Sequence, residues 1–308
     1  MSTLNQFPIS QHHIDMFTSN VEADIQLLPK GLERFVTVGS YTGEQAQVVN
    51  FVGTVDFTEM TTRYSDTELS ELSHTQRWIY PKDFDAGVLI DRIDQLRMLY
   101  DPTSPYVNSV ALGFGRKKDE LIRDAFFSNG FSGKNGATSV QFDTNNVIDV
   151  TVGSSADPAV ATGLNIDKLR AARKKIKQNT KADGPMDEEI FMGVTAEQID
   201  DLLGIKEIQS SDFAATKALV NGEVSRFLGI TFVPWEGWGA RDDSGDTIRE
   251  LPVWVRSGMH WGNWEAGPSI VISPRPDKRN LPQIHANFTA NAVRIREEKV
   301  LRVDCLEP

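Results

Sequence analysis

The spacing of apolar residues changes several times along this chain, and each change marks an element. Residues 1–33 hold only a thin apolar patch, Ile14, Met16, Phe17, Val21 and Ile25, punctuated by Pro8 and Pro29, which predicts an arm with little to pack on. Between 34 and 82 the period is two. Val49, Phe51, Val55 and Phe57 share one face, Asn50, Thr54 and Asp56 take the other, and further β-type runs cover Arg34–Val38 and Arg77–Tyr80. The polar stretch Thr61–Ser73 has little to bury, so the reading is an extended β-ribbon with a solvent-facing tip.

After Pro105 the period becomes helical. Val107, Val110, Ala111, Phe114, Leu121 and Ala125 hold one face, and the helix is expected to stop before Asn129-Gly130, with Gly130–Gly136 as loop. Residues 137–163 are β-type or irregular. Asn165 is placed to cap a second helix to about Gln178, buried through Leu169, Ala172 and Ile176. Ile190–Val194 reads as a strand, and Thr195 with Gln198 has capping-box spacing for a helix ending near Leu203. A short helix at Asp212–Val220, a strand at Phe227–Val233 and a strand pair near Val293–Ile295 and Leu301–Cys305 complete the pattern. Helices and strands come in mixed blocks with no internal repeat, which is an α+β arrangement.

At 308 residues the chain suits one large domain or two intertwined lobes. The start lacks a signal peptide's basic and apolar regions and no run approaches a bilayer span, so the chain is expected to be cytosolic when made, without a membrane partner. One cysteine, Cys305, excludes internal disulfides and a cysteine-based zinc cage. The net charge of −11 opposes non-specific binding of nucleic acid by the chain as a whole. The one basic concentration, Lys168, Arg170, Arg173, Lys174, Lys175 and Lys177, reads as a solvated helix face.

The search for chemistry returns no catalytic, cofactor or metal site. His12, His13, His74, His260 and His285 contain no helical i, i+4 pair, Gly133-Lys134-Asn135-Gly136 lacks the spacing of a phosphate loop, and no Gly-x-Ser-x-Gly elbow occurs. Asp242, Asp243 and Asp246 lack the spacing of a calcium loop. Five of six tryptophans lie between Trp235 and Trp264, where a core or subunit contact is favoured over sugar stacking.

Several stretches, in order, resemble the major capsid proteins of tailed bacteriophages, with the Hong Kong 97 type fold. They are His74-Thr75-Gln76-Arg77 through Asp83-Phe84 to Leu89–Asp94, Asp101–Tyr106, Gln198–Leu203, Ala218–Glu223 with Phe227–Ile230, Arg275–Lys278, and Ala292–Arg294 with Glu298–Cys305. The resemblance implies an N-terminal arm (1–33), an extended loop (34–82), a peripheral domain with a long spine helix (83–163 with 284–308) and an axial domain (164–283). It implies a structural subunit, not an enzyme and without cofactors, that assembles into hexamers and pentamers and then an icosahedral virion shell in the host bacterial cytoplasm. Its partners would be copies of itself, a separate scaffolding protein, a portal, possible decoration proteins, and DNA held without sequence-specific contacts. Arg63, Trp78 and Trp261 are the expected interface residues. No lysine lies between Lys30 and Lys82, so the covalent lysine–asparagine lock of some family members is not expected. The rival readings are an encapsulin-like compartment shell and a tryptophan-rich carbohydrate-binding protein.

Overall fold

The computed structural model describes residues 29–53, 74–90, 103–155, 160–180, 188–204, 226–243, 245–265 and 269–307, together with 55, 57, 59 and 72. In chain order the elements begin with β1 (Thr37–Ser40), β2 (Ala46–Val52), β3 (His74–Ile79), β4 (Lys82–Leu89) and α1 (Thr103–Phe127). Next come β5 (Gly130–Ser132), β6 (Thr138–Val140), β7 (Val147–Ile148), α2 (Ile166–Thr180), β8 (Ile190–Val194), α3 (Ala196–Leu203) and β9 (Arg226–Phe227). Then follow β10 (Ile230–Pro234), β11 (Ala240–Asp243), β12 (Asp246–Val255), β13 (Met259–Asn263), β14 (Ser269–Arg275), β15 (Leu281–Arg294) and β16 (Val300–Glu307).

A seven-stranded sheet in the order β7-β16-β12-β8-β10-β9, with β11 beside β12, forms the middle layer. Its central strands carry apolar residues on both faces, and the two-residue period divides them. Met192, Val253, Val255, Leu301, Val303 and Cys305 point into one core with Leu169, Ala172 and Ile176 of α2 and Leu202 of α3. The alternate residues Phe191, Trp254 and Val300 point the other way, onto Ile122 and Phe126 of α1 and onto Met259 and Trp261 of β13. The central strands are therefore covered twice, which explains why Ile190–Val194 is buried at every position.

On that second side lies a five-stranded sheet of β1, β13, β15, β14 and β4. Beyond it a small sheet in the order β2-β3-β5-β6 carries the ribbon. The expected ribbon is thus extended by two further strands, and Gly130–Ser132, read as loop, is a strand that pairs with β3 and β6. The close of the chain also differs from the expected strand pair. Val293 lies in β15, bonded to β13, whereas Leu301–Cys305 lies in β16, bonded to β12 and β7. Phe227–Val233 is not one strand but a hairpin, because Leu228 and Gly229 both take positive φ (49° and 78°) and reverse the chain.

The helix signals translate directly. Asn165 Oδ1 accepts from the Lys168 amide at 2.8 Å, capping α2, and Gln198 Oε1 accepts from the Thr195 amide at 3.0 Å, closing the box that starts α3. Along α1 the two halves differ. Leu121, Ile122, Ala125 and Phe126 are buried, while Val107, Val110 and Phe114 are half-covered and Ala111 is exposed. The helix expected at Asp212–Val220 and the arm patch lie outside the described residues.

Candidate inter-subunit surface

The ribbon leaves the body at a buried charged knot. Arg77 of β3, 7% exposed, donates from Nε to the Ile295 carbonyl (3.0 Å) and from Nη2 to Glu297 (2.9 Å). Arg294 approaches the same carboxylate from β15 and also donates to the carbonyls of Phe126 and Ser128. One glutamate thus ties the ribbon base, the end of α1 and the end of β15. Burial pulls the Arg294 guanidinium below its usual range while Glu297 opposes that pull. Trp78, next along β3 and facing the other way, donates its indole N–H to the Gly133 carbonyl at 2.7 Å. Arg77 and Trp78 therefore set where the ribbon points.

A second anchor fixes the N-terminal approach. Asp119 of α1 is 1% exposed, and its carboxylate accepts from three successive amides, Lys30 (2.5 Å), Gly31 (3.1 Å) and Leu32 (2.8 Å). Gly31 adopts φ 73°, a left-handed conformation that suits glycine and turns its amide toward the carboxylate. Leu32 and Val36 then plug the core beneath α1. Further on, the Thr37 hydroxyl donates to the Met259 carbonyl (2.7 Å), so its oxygen accepts from His260 Nδ1 (2.9 Å). That leaves His260 Nε2 to accept from the Tyr41 hydroxyl (2.8 Å). Burial pushes the imidazole down to about 4, so it is neutral at ordinary pH and its tautomer is set by this chain of bonds.

Outside these anchors the chain covers little of its own surface. Val52 is 56% exposed, Val55 48% and Phe57 fully exposed along the ribbon. In the five-stranded sheet, β4 and β14 flank β15, and Val271, Ile272 and Leu89 stand half out of the molecule. Between the ribbon base and α1 runs a groove of about 490 Å³ lined by Trp78, Tyr80, Leu121, Phe131 and Ala292.

The expected interface residues fare differently. Trp78 lines this groove and is half-buried. Arg63 lies outside the described residues. Trp261 is corrected: it sits in β13 beside β1 and β15, not in the layer of α2 and α3. It is 0% exposed with the Lys118 ammonium 5.3 Å from its ring, so no indole surface is left for a neighbour. Four of the clustered tryptophans are core, as the core reading favours, and Trp235, Trp238 and Trp254 interlock edge to face and tilted with Phe126. Lys168 departs from the solvated-face reading, since it is fully buried and its ammonium donates to the carbonyls of Thr162, Gly163 and Asp304. Asp119 and His260 gave no signal in the sequence, because their partners lie 87 or more residues away in the chain, and neither did Arg294, whose Phe126 and Ser128 carbonyls are as distant although Glu297 is only three residues on. Among the described residues no group of three His, Cys, Asp or Glu is placed to hold a metal ion, and no helix is long and apolar enough to cross a membrane.

A body with two firm anchors and long uncovered strands is that of a subunit made to be completed by others, and the comparisons agree. The fold is that of phage capsid subunits. The capsid protein of the cyanophage P-SCSP1u superposes with a TM-score of 0.71 at 15% identity, covering 96% of this chain and 93% of that one. The head protein of the Helicobacter pylori bacteriophage KHP40 gives 0.70 at 9% identity, covering 99% of both chains. The sequence matches the family model described as phage capsid protein over residues 9–307, and the chain belongs to that family. No curated protein sequence matches it.

Proposed function

We propose that this protein is the major capsid subunit of a tailed phage, with a structural and not a catalytic role, and that its copies form hexamers and pentamers of an icosahedral shell. The observation that carries the reading is the uncovered ribbon. Val52 at the end of β2, and Val55 and Phe57 beyond it, leave apolar surface that the described residues do not cover, and such surface is stabilised when a partner buries it. A neighbouring copy supplies the missing cover, and such head-to-tail contacts close into rings when the rotation permits. The likeness to assembled phage capsids supports the same view.

The parts then take roles. Residues 1–33 are assigned to the arm, 34–82 to the extended loop apart from Val36 and β1, which pack into the body, and α1 to the spine of a peripheral part built on the five-stranded sheet. The axial part, expected at 164–283, is assigned to 164–255 with 300–307 instead, because β13 and β14 pair with β15 in the five-stranded sheet and β16 is the central neighbour of β12. Trp78 and Arg63 are the ribbon residues assigned to inter-subunit contact. A separate scaffolding protein, a portal, and DNA enclosed without sequence-specific contacts complete the set of partners, and the finished protein resides in the virion after assembly in the host cytoplasm.

Negative-stain electron microscopy with light scattering tests the reading, on the chain alone and with a candidate scaffolding protein from the same gene cluster. Rings or closed shells are expected in at least one sample. A monomer in both, at high concentration, overturns the assignment.

A further inference from the structure

The strands β4 and β14 flank β15, and among the described residues nothing pairs with the outer side of either. A bare strand edge invites pairing with another chain, and charged side chains are one way to block it. β4 is blocked in this way by Lys82, Asp83 and Asp85. β14 is not. It runs Ser-Ile-Val-Ile-Ser before Pro274, uncharged and β-branched in the middle, with Val271 and Ile272 each 50% exposed.

Two prolines fix which backbone groups of β14 face outward. Pro274 stands opposite Pro282, and neither has an amide hydrogen to exchange, so this pair is not a hydrogen-bonded one. The Pro282 carbonyl accepts instead from the Ile90 amide on the β4 side, at 2.9 Å. Alternation then turns Val271 and Ser273 toward β15. The N–H and C=O of Ile270 and Ile272 point out of the sheet.

We infer that this edge is completed by β14 of a second copy, antiparallel about a two-fold axis through Val271. The backbone selects the register. With Val271 opposite itself, Ile270 of each copy exchanges both backbone bonds with Ile272 of the other. Moving the axis to Ile272 sets Ile270 against Pro274, and moving it to Ile270 sets Ile272 against Pro268, so either shift leaves a carbonyl without a donor. The half-exposed apolar surface is covered in the same register, Val271 by Val271 and Ile272 by Ile270. Charge selects the antiparallel sense. Exposed Glu265 precedes the strand, whereas the tip that follows it keeps Lys278 and Arg279 in surplus once Arg275 is paired with Asp277. Antiparallel pairing sets the basic end of each strand beside the acidic end of the other, and parallel pairing would align like with like. The inference rests on the capsid reading above: an icosahedral shell contains two-fold axes, and a surface that contacts its own copy lies on one.

Disulfide trapping in assembled particles of the full-length protein tests the register, with scaffolding protein if the wild type needs it. Opposed residues of a non-hydrogen-bonded antiparallel pair have Cα atoms about 4.5 Å apart, within disulfide range. The native Cys305 is fully buried, so the wild type serves as the blank. On mild oxidation V271C is expected to run mainly as a dimer on a non-reducing gel. S269C, whose own copy lies about 13 Å along the strand, is expected to give at least tenfold less. S269C/S273C is expected to restore the dimer, because Ser269 then meets position 273. These sites are exposed, and circular dichroism confirms that each variant folds. V271C shells without dimers, or S269C dimers as abundant as those of V271C, overturn the inference and leave the capsid reading intact. Cross-linking of V271C to a co-assembled F17C chain, and not to itself, also overturns it and identifies the N-terminal arm as the strand on this edge. A wild type that never forms shells removes the capsid reading, and this inference with it.

Discussion

At the scale of single residues, the polar groups that matter are the buried ones, and each has at least one partner distant in sequence. Asp119 gathers three amides, Lys168 three carbonyls, and His260 sits between one donor and one acceptor. His260 yields a pH dependence with a definite sign. In the unfolded chain a histidine takes its proton near pH 6.5, whereas in the folded protein burial delays protonation to about 4. Between those values the unfolded state binds more protons, so the contribution of His260 is complete above 6.5 and is lost as pH falls toward 4. The full loss is about 3 kcal/mol, at about 1.4 kcal/mol per pH unit. Thermal unfolding of wild type and His260→Gln at pH 7.5 and pH 4.5 checks it. The wild type is expected to lose more on acidification than the variant, and equal losses would show that the imidazole does not titrate as its burial demands. Cys305 is perturbed in the other direction. Burial pushes its thiol up to about 12 despite the Lys168 ammonium 3.9 Å away, which makes it a packing residue and not a nucleophile.

Elements were legible where the signal is local. The caps at Asn165 and Thr195, the strand Ile190–Val194 and the end of α1 follow from residues within four positions of one another. Pairing was not legible, because it depends on distant strands. Alternation of Leu301, Val303 and Cys305 with Arg302 and Asp304 reveals a two-faced strand, but nothing in it says that β12, some fifty residues earlier, is the partner. Of the expected interface residues, Trp261 failed for a related reason: an aromatic in a glycine-rich stretch is equally compatible with a core and with a contact, and only the packing of Leu32, Val36 and Lys118 around β13 decides. The core is also tighter than composition suggests. A methyl group on Gly193 of β8 would stand 2.4 to 2.8 Å from the Trp238 indole, which is itself wedged against Trp235, Trp254 and Phe126 and cannot retreat. Gly193→Ala is therefore expected to cost about 1–3 kcal/mol through overpacking. Gly239→Ala, whose added carbon meets nothing within 4 Å, is the control. A pair of melting curves separates them, and a Gly193→Ala protein as stable as the control would show that the sheet relaxes.

At the scale of the whole molecule, the contrast is between a core buried on both faces of one sheet and strands that emerge from it almost bare. The two anchors explain how such strands keep a direction: Glu297 clamps Arg77 at the ribbon base, and Asp119 clamps the backbone at residues 30–32. A shell built from such subunits is stabilised by contacts that are individually weak and repeated over every copy, unless a covalent lock is added. The extended loop offers no amine for one, since residues 31–81 contain no lysine. Lys30 and Lys82 flank it, but the Lys30 backbone is held by Asp119 and Lys82 opens β4 in register with Ala290, so both belong to the body. Assembled particles boiled in detergent are thus expected to release a single band at the monomer mass of 34.3 kDa. A ladder of multiples would mean that a lysine outside the loop has formed the bond. The same argument sets how the shell comes apart. With no covalent mesh, denaturant should separate subunits in the same step that uncovers the ribbon, and light scattering and tryptophan fluorescence of the buried Trp254 and Trp261 should change in that order, scattering first.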